Sequence, residues 1–263
     1  MRAPELVIAL DFQAPAEALE MARVLQSVTT PGEPKPWMKV GLELFTAGGP
    51  EIVRALKHMG FRVFLDLKFL DIPNTVSGAV RSAVKSGADM LNIHALGGLE
   101  MARAAVAARD EAAAGMKLAE KPILLAVTVL TSMKDADTPI LHGREAADVA
   151  LELARLAREA GLDGVVCSGH EVKRIKAECG ADLLCLTPGI RPPDPLAEPD
   201  DQRRVMTPEA AVAAGSDFLV VGRPITRASV VKGGPVGRAR EILGRMAQAL
   251  GAAAGAGDSV GGE

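Results

Sequence analysis

The sequence predicts an α/β fold in which eight βα units close into a (β/α)8 barrel that forms a single domain. Short apolar segments with strand character alternate with longer amphipathic segments from residue 6 to about residue 250. Eight such apolar segments can be counted along the chain. The 263 residues, 48% of them hydrophobic, are enough for one large domain with its own core.

The eight predicted strands are the short apolar runs, and the helices lie between them. In chain order the predicted strands are residues 6–11, 37–43, 62–68, 90–95, 123–130, 164–167, 183–187 and 218–222. The predicted helices are rich in Ala, Leu, Glu and Arg, which favour helix. They are clearest at residues 16–27, 51–58, 145–159 and 235–250.

A repeated pattern marks the joints between helices and the following strands. Each joint carries a glycine that can end the helix in the left-handed conformation and an aspartate that can close the turn. The joints are residues 86–89, 160–163, 179–182 and 214–217. The units favour a TIM barrel over a doubly wound open sheet, because no GxGxxG follows the first strand.

Two segments depart from the alternation of predicted strands and helices. Residues 191–207 contain four prolines and a dense mixture of charges, which predicts a functional loop over the barrel mouth. Residues 251–263 are rich in Gly and Ala and are predicted to be a disordered tail, so the barrel domain is expected to span residues 1–250.

Charge, cysteine content and hydropathy narrow the class of protein. A net charge of −3 gives no broad basic field, so nucleic acid is not an expected partner and any phosphate must be held by local groups. The three cysteines are odd in number and lack CxxC spacing, which favours the reducing cytoplasm. No basic segment precedes a long apolar stretch at the N-terminus, and neither secretion nor membrane insertion is expected.

Ionisable residues occur at the ends of the first three predicted strands. Asp66 and Lys68 are two residues apart and should leave the same face of a strand, while Asp11 and Lys39 end the preceding apolar runs. An isolated Asp-x-Lys is more often a structural ion pair. Four ionisable groups in apolar surroundings would cost too much desolvation for that role alone, so we expect them to converge at a functional site.

The last two strands are followed by residues suited to binding a phosphate. In a barrel the loops after strands seven and eight frequently form such a site. Gly189 and Gly222 allow close backbone approach, and Arg223 can pair with phosphate oxygens. Either motif alone would more often be an ordinary turn. Thr131 and Ser132, after the fifth strand, could hydrogen bond to a ligand or could be turn residues.

The segment D-L-K-F-L-D-I-P-N-T at residues 66–75 resembles the signature of the orotidine 5'-phosphate decarboxylase family. Six further blocks agree in order, at residues 10–11, 39–41, 127–132, 187–192, 201–204 and 222–224. One departure is Leu70, where bacterial relatives often have histidine. Its side chain should point away from Asp66 and Lys68, so we expect little effect on the chemistry.

The resemblance implies conversion of orotidine 5'-phosphate to uridine 5'-phosphate and carbon dioxide in de novo pyrimidine biosynthesis, without a cofactor or metal. It implies that Lys68 is the proton donor, that Asp66 and Asp71 flank the reacting carbon, and that Lys39 joins their charge network. It also implies a homodimer with shared active sites, into which Asp71 and Thr75 of each subunit extend.

The resemblance also assigns the residues that contact the substrate, with the phosphate held by the last four of them. They are Asp11, Lys39, Asp66, Ile72, Thr75, Thr131, Ser132, Pro188, Arg191, Gln202, Gly222 and Arg223.

Two rival functions remain open from the sequence. One is a related magnesium-dependent barrel, either a sugar-phosphate decarboxylase or a hexulose-phosphate synthase, against which residues 188–192 and Gln202 argue. The other is a catalytically silent barrel that binds a phosphate ligand, against which the intact set of Asp66, Lys68 and Asp71 argues. No metal site is expected, because the acidic residues near the mouth are interleaved with lysines that would repel a divalent cation.

Overall fold

The computed structural model describes residues 2–30, 32–133, 144–193, 204–230 and 233–257. Within them the strands form a closed parallel barrel in sequence order from β1 to β8, with β1 pairing to β8. The predicted (β/α)8 barrel is confirmed. A doubly wound open sheet is excluded, because such a sheet would have two unpaired edge strands. In the described part of the chain, no helix combines the length and apolar character needed to cross a bilayer.

All eight predicted strands are present, and most end earlier than predicted. The apolar character continues past several strand ends because residues such as Leu10, Val129 and Cys167 remain buried there. The second strand is the clearest correction, since helix α2 already begins at Leu42, inside the range 37–43 predicted as strand. The strands are β1 (Glu5–Ala9), β2 (Trp37–Gly41), β3 (Val63–Phe69), β4 (Met90–His94), β5 (Ile123–Val127), β6 (Gly164–Val166), β7 (Leu184–Thr187) and β8 (Phe218–Val221).

Helices alternate with these strands and form the outer layer. A short 3-10 turn, Ala95–Gly97, follows β4, and α8 precedes the long final helix without an intervening strand. The helices are α1 (Pro15–Leu25), α2 (Leu42–His58), α3 (Pro73–Lys85), α4 (Gly98–Gly115), α5 (Ala146–Glu159), α6 (Val172–Cys179), α7 (Pro208–Ala214), α8 (Arg223–Thr226) and α9 (Gly234–Gly257).

Two helices differ from their predicted bounds for identifiable reasons. Helix α2 contains a break at Gly49, whose φ is 57°, followed by Pro50. Proline is favoured in the first turn of a helix, so the sequence predicted only the segment after the break. Helix α9 continues through Gly257, so the predicted disordered tail 251–263 is wrong for residues 251–257, where alanine favours helix. Residues 258–263 lie outside the described residues.

The core has two layers, one inside the barrel and one between the barrel and the helices. The inner layer contains Trp37, Phe64, Met90 and Phe218, all fully or almost fully buried. Trp37 and Phe218 meet edge to face with ring centroids 5.6 Å apart. Burial of one such aromatic side chain contributes about 1.5–3 kcal/mol. The aromatic residues from the starts of β2 and β8 fill the amino-terminal part of the barrel.

The glycines of the repeated glycine–aspartate joints all have the predicted positive φ, and Gly180 differs from the prediction in its ψ of 143°, outside the left-handed helical region. The glycines at positions 87, 161, 180 and 215 have φ values of 97°, 81°, 102° and 95°. Three of the aspartates each accept the backbone N–H of a residue at or beside the start of a neighbouring strand, at 2.7 Å. The pairs are Asp89 with Val63, Asp163 with Leu124, and Asp217 with Cys185. These joints fasten the amino-terminal end of the barrel.

Candidate active site

A cavity of about 320 Å³ opens at the carboxyl ends of the strands. This volume lies at the lower end of the range for small-ligand sites, about 300–1,000 Å³. Its polar lining comes from the ends of β1, β2 and β3 on one side and from the loops after β5, β7 and β8 on the other. The predicted site residues that line it are Asp11, Lys39, Asp66, Lys68, Thr131, Ser132, Pro188, Arg191, Gly222 and Arg223.

The four ionisable residues of the first three strands form a continuous chain of alternating charge. The Lys39 ammonium lies 3.2 Å from Asp11 Oδ1 and 3.2 Å from Asp66 Oδ2. Lys68 Nζ donates to the other Asp66 oxygen, Oδ1, at 2.6 Å. Asp66 is thus held between two ammonium groups, one on each carboxylate oxygen.

The neighbouring charges determine the ionisation of Asp66 and Lys39, the two largely buried members of this cluster. Burial alone would raise the pKa of Asp66, but Lys39 and Lys68, with a hydrogen bond from Asn92, outweigh it and lower the pKa to about 2. For Lys39, burial opposes the charged form, and the carboxylates of Asp66 and Asp11 outweigh it and raise its pKa. Asp66 and Lys39 are both charged at neutral pH.

The low pKa of Asp66 predicts a specific dependence of stability on pH. Because its folded pKa of about 2 lies below its ordinary value of 3.8, its contribution is fully present well above pH 3.8 and is lost as the pH falls through about 2. The full contribution of this ionisation to the free energy of unfolding is about 2 kcal/mol. We expect the difference in free energy of unfolding between wild type and Asp66→Asn to change by about 1 kcal/mol between pH 6 and pH 3. Urea unfolding of both proteins across this range measures it, and a constant difference would contradict the assignment.

The backbone of Lys68 has an unusual conformation. Its φ is 51°, in the left-handed region that residues other than glycine rarely adopt. Such a conformation costs about 1–3 kcal/mol and persists only where surrounding structure holds it. The Lys68 N–H donates to Asn92 Oδ1 at 2.8 Å, and Asn92 Nδ2 donates to Asp66 Oδ1 at 2.8 Å. The strain and its supporting contacts therefore lie at the centre of the charge cluster.

Asn92 and His94 are residues of this region that the sequence analysis did not select. Both lie in β4 and are buried. His94 Nδ1 accepts the Leu96 N–H at 3.3 Å, and burial together with the charge of Lys68 lowers the His94 pKa, so this histidine is neutral at neutral pH. The available signal was the presence of two polar residues, at alternate positions, in an otherwise apolar strand.

The residues predicted to hold a phosphate line the side of the cavity formed by β7 and β8. Pro188, Gly189 and Arg191 follow β7, and Gly222 and Arg223 follow β8. Gly189 has a φ of 75°, which a residue with a side chain would adopt only with strain. Two arginines and a glycine-containing turn thus face the same cavity as the charge cluster.

The ends of the predicted loop 191–207 are attached to the barrel mouth. The Arg191 N–H donates to the Met206 carbonyl at 2.9 Å, which joins the two ends. Arg204 contacts the buried carboxylate of Glu171 and donates to the Val129 carbonyl at 3.3 Å. Arg204 therefore links this loop to those after β5 and β6. Residues 194–203, including the predicted phosphate ligand Gln202, lie outside the described residues.

Of the predicted site residues that the structure describes, three do not line the cavity. Asp71, Ile72 and Thr75 are exposed, in the segment that leaves β3 and begins α3. Asp71 Oδ1 accepts the Ile72 backbone N–H at 2.6 Å. Within one chain the cavity is thus bounded by Asp66 and Lys68, while Asp71 lies on the surface beside it. Among the residues that the structure describes, no group of three or more His, Cys, Asp or Glu side chains is arranged to hold a metal ion.

Comparison with known proteins gives consistent matches over nearly the whole chain. Residues 4–239 match the model of the Orotidine 5'-phosphate decarboxylase / HUMPS family. Orotidine 5'-phosphate decarboxylase of Nitratidesulfovibrio vulgaris (strain DSM 19637 / Miyazaki F) is 58% identical over 251 residues, covering 92% of this chain and 98% of that protein. The same-named protein of Maridesulfovibrio salexigens is 54% identical, with the same coverage. The crystal structure of orotidine 5'-phosphate decarboxylase from Lactobacillus acidophilus matches with a TM-score of 0.75 and 35% identity, covering 92% of this chain and 99% of that one.

Proposed function

The chain belongs to the orotidine 5'-phosphate decarboxylase / HUMPS family of enzymes, and from this premise we propose that it converts orotidine 5'-phosphate to uridine 5'-phosphate and carbon dioxide. We place this reaction in the cytoplasm, in de novo pyrimidine biosynthesis. The observation that carries the proposal is the clamp around Asp66, in which Lys39 and Lys68 bind opposite oxygens of one buried carboxylate at the cavity wall.

The proposed chemistry uses the Lys68 ammonium twice. When the bond between C6 of the pyrimidine and its carboxyl group breaks, carbon dioxide leaves and the electron pair stays on C6. A fixed ammonium stabilises this developing charge, because it is already oriented and needs no reorganisation. Lys68 then transfers a proton to C6 and becomes a neutral amine, which regains its proton from solvent.

The ion pairs keep the cluster oriented before the substrate binds. Asp66 anchors Lys68 at 2.6 Å and is itself fixed by Lys39 at 3.2 Å. An ionised Asp66 next to the substrate carboxylate would also repel it in the ground state. We rank the preorganised ammonium first.

The opposite side of the cavity is suited to the rest of the nucleotide. We assign the phosphate to Arg191, Gln202, Gly222 and Arg223, since the described members of this set follow β7 and β8. Pyrimidine edge groups would then meet the hydroxyls of Thr131 and Ser132 after β5, while Pro188 contributes to the wall between the two regions. Asp11 and Lys39 would contact the nucleotide from the ends of β1 and β2.

Replacing the phosphate-binding arginine should weaken nucleotide binding. We expect Arg223→Ala to raise the Kd for uridine 5'-phosphate by about 10-fold to 150-fold, because one charge-assisted contact contributes about 1.5–3 kcal/mol. Calorimetric titration measures this. Arg227→Ala, which removes an exposed arginine just after the same short helix, is the matched control. An unchanged affinity for Arg223→Ala would move the phosphate site elsewhere.

An exposed apolar surface supports the proposed homodimer with shared sites. Leu42, Leu70, Ile72 and Leu96 are exposed hydrophobic residues that follow β2, β3 and β4 at the carboxyl end of the barrel. Asp71 lies within this surface, which we call the mouth patch. A second copy covering the mouth patch would bury these side chains and bring Asp71 and Thr75 to a neighbouring cavity.

The chemistry of the cluster favours this function over the magnesium-dependent rival. Each oxygen of Asp66 already accepts from an ammonium group, and Asn92 donates to one of them as well. Two ammonium groups beside the carboxylate would repel a divalent cation. The ordered cluster of charges within a ligand-sized cavity also goes beyond what a silent phosphate-binding barrel requires.

A spectrophotometric assay tests the proposal. Purified protein is mixed with orotidine 5'-phosphate in excess EDTA, and conversion to uridine 5'-phosphate is followed by absorbance. We expect the same turnover in EDTA and in magnesium. Turnover that appears only with magnesium would favour the rival enzyme, and binding of uridine 5'-phosphate without turnover in either buffer would favour a silent barrel.

A further inference from the structure

The pairing between β3 and β4 is irregular at the position of the catalytic lysine. Between two regularly paired positions, β3 has the three residues 66–68 where β4 has the single residue Asn92. Such a bulge leaves backbone groups of the longer strand without partners in the ladder. The Asn92 side chain provides a partner for one of these backbone groups, because its Oδ1 accepts the Lys68 N–H at 2.8 Å.

The same side chain also fixes the carboxylate that anchors Lys68. Asn92 Nδ2 donates to Asp66 Oδ1 at 2.8 Å, and this oxygen also accepts from Lys68 Nζ at 2.6 Å. The amide can have only one orientation, since its oxygen must face the N–H and its NH2 group must face the carboxylate. Asn92 is fully buried and is not among the residues that line the cavity.

We propose that Asn92 is a positioning residue, which holds the left-handed backbone of Lys68 and the carboxylate of Asp66 so that the ammonium is directed at the reacting carbon. The inference rests on the proposed decarboxylation. It assigns Asn92 no contact with substrate. Loss of its two hydrogen bonds should therefore lower kcat and leave nucleotide affinity unchanged, because misplacement of a reacting group by about 1 Å can cost about 100-fold in rate.

The first test removes both hydrogen bonds with a side chain that has the same number of heavy atoms and the same branch point. We expect Asn92→Leu to reduce kcat by about 10-fold to 100-fold, with the Kd for uridine 5'-phosphate within about threefold of wild type. The control is Ser86→Ala, which removes a buried hydrogen bond at the end of α3, on the amino-terminal side of the barrel, and should keep wild-type kcat. An unchanged kcat in Asn92→Leu, or an equal loss of kcat and affinity, overturns the proposal.

The second test replaces the amide with a carboxyl group of nearly the same shape. The groups around it would be Asp66 and Lys68 from β3, Lys39 through its ion pair with Asp66, and His94 at the end of β4, while β5 contributes apolar residues here. Burial and the charge of Asp66 favour the protonated form of the new group, and the ammonium of Lys68 favours the ionised form, so its pKa is set by these opposing effects. The protonated form can donate to Asp66 as the amide does. The ionised form cannot donate.

We therefore expect kcat of Asn92→Asp, relative to wild type, to rise as the pH falls and the introduced carboxyl gains a proton. This variant is close in shape to wild type and serves as the test if Asn92→Leu does not fold. A ratio of the two kcat values that is constant between pH 5 and pH 8 overturns the proposal. Absence of activity in the wild type would refute the decarboxylase function instead, so the two failures are distinguishable.

Discussion

Lys68→Ala should abolish turnover of orotidine 5'-phosphate while binding of uridine 5'-phosphate persists. In the proposed mechanism the lysine acts only as charge develops on C6 and as the proton returns, so its removal raises the barrier without removing a contact to the phosphate. General acid catalysis typically accelerates a reaction by about 10²-fold to 10⁴-fold, and one electrostatic donor by about 10²-fold to 10³-fold. We expect a loss of at least about 10⁴ in kcat, equivalent to about 5.5 kcal/mol.

The measurement pairs single-turnover kinetics with calorimetric binding of uridine 5'-phosphate. Lys85→Ala is the matched control, because it removes an exposed lysine from the last turn of α3, near the opposite end of the barrel. We expect this variant to keep wild-type kcat. Retention of more than a small fraction of turnover by Lys68→Ala would refute its assigned role, and loss of binding in the same variant would show that Lys68 acts in the ground state.

The second large effect is restoration of activity by mixing two inactive proteins, Lys68→Ala and Asp71→Ala. If Asp71 completes the site of the partner subunit, a heterodimer has one site with both lesions and one with neither. Random exchange makes about half of the dimers heterodimers, so up to about a quarter of all sites become intact. The exposure of Asp71 within the mouth patch supports this arrangement.

A matched mixture provides the control for this exchange. Asp66 and Lys68 belong to the same chain's cavity, so a heterodimer of Lys68→Ala with Asp66→Ala has one lesion in each site and should stay inactive. Subunit exchange is verified with differently tagged proteins. If exchange occurs and the Lys68→Ala and Asp71→Ala mixture remains inactive, then Asp71 serves its own subunit and the shared-site proposal is wrong.

The fold was largely predictable because its signals are local and repeated. Buried parallel strands appear as apolar runs, and three of the four glycine–aspartate joints repeat the same aspartate contact with a neighbouring strand. The errors lie where the sequence signal is ambiguous. Leu42, next to an apolar run, did not distinguish strand from helix at residues 42–43, and Gly-Ala composition at 251–257 predicted disorder where α9 continues.

The charge cluster was predictable only in part. Spacing along β3 predicted that Asp66 and Lys68 share a face, and their contact at 2.6 Å agrees with this prediction. The backbone is not regular there, because Lys68 has a φ of 51° and the register with β4 shifts. A shift of this kind depends on the pairing of two strands and has no signature in β3 alone, which is why the contribution of Asn92 was missed.

The central claim, that the Asp66 and Lys68 cluster catalyses decarboxylation without a metal, is tested most directly by measuring both products. Wild type and Lys68→Ala are incubated in parallel with orotidine 5'-phosphate labelled in its carboxyl group, in excess EDTA, and labelled carbon dioxide and uridine 5'-phosphate are quantified. We predict equal amounts of the two products from wild type and neither above background from Lys68→Ala. Absence of labelled carbon dioxide from the wild type, or its undiminished release by Lys68→Ala, would contradict the claim.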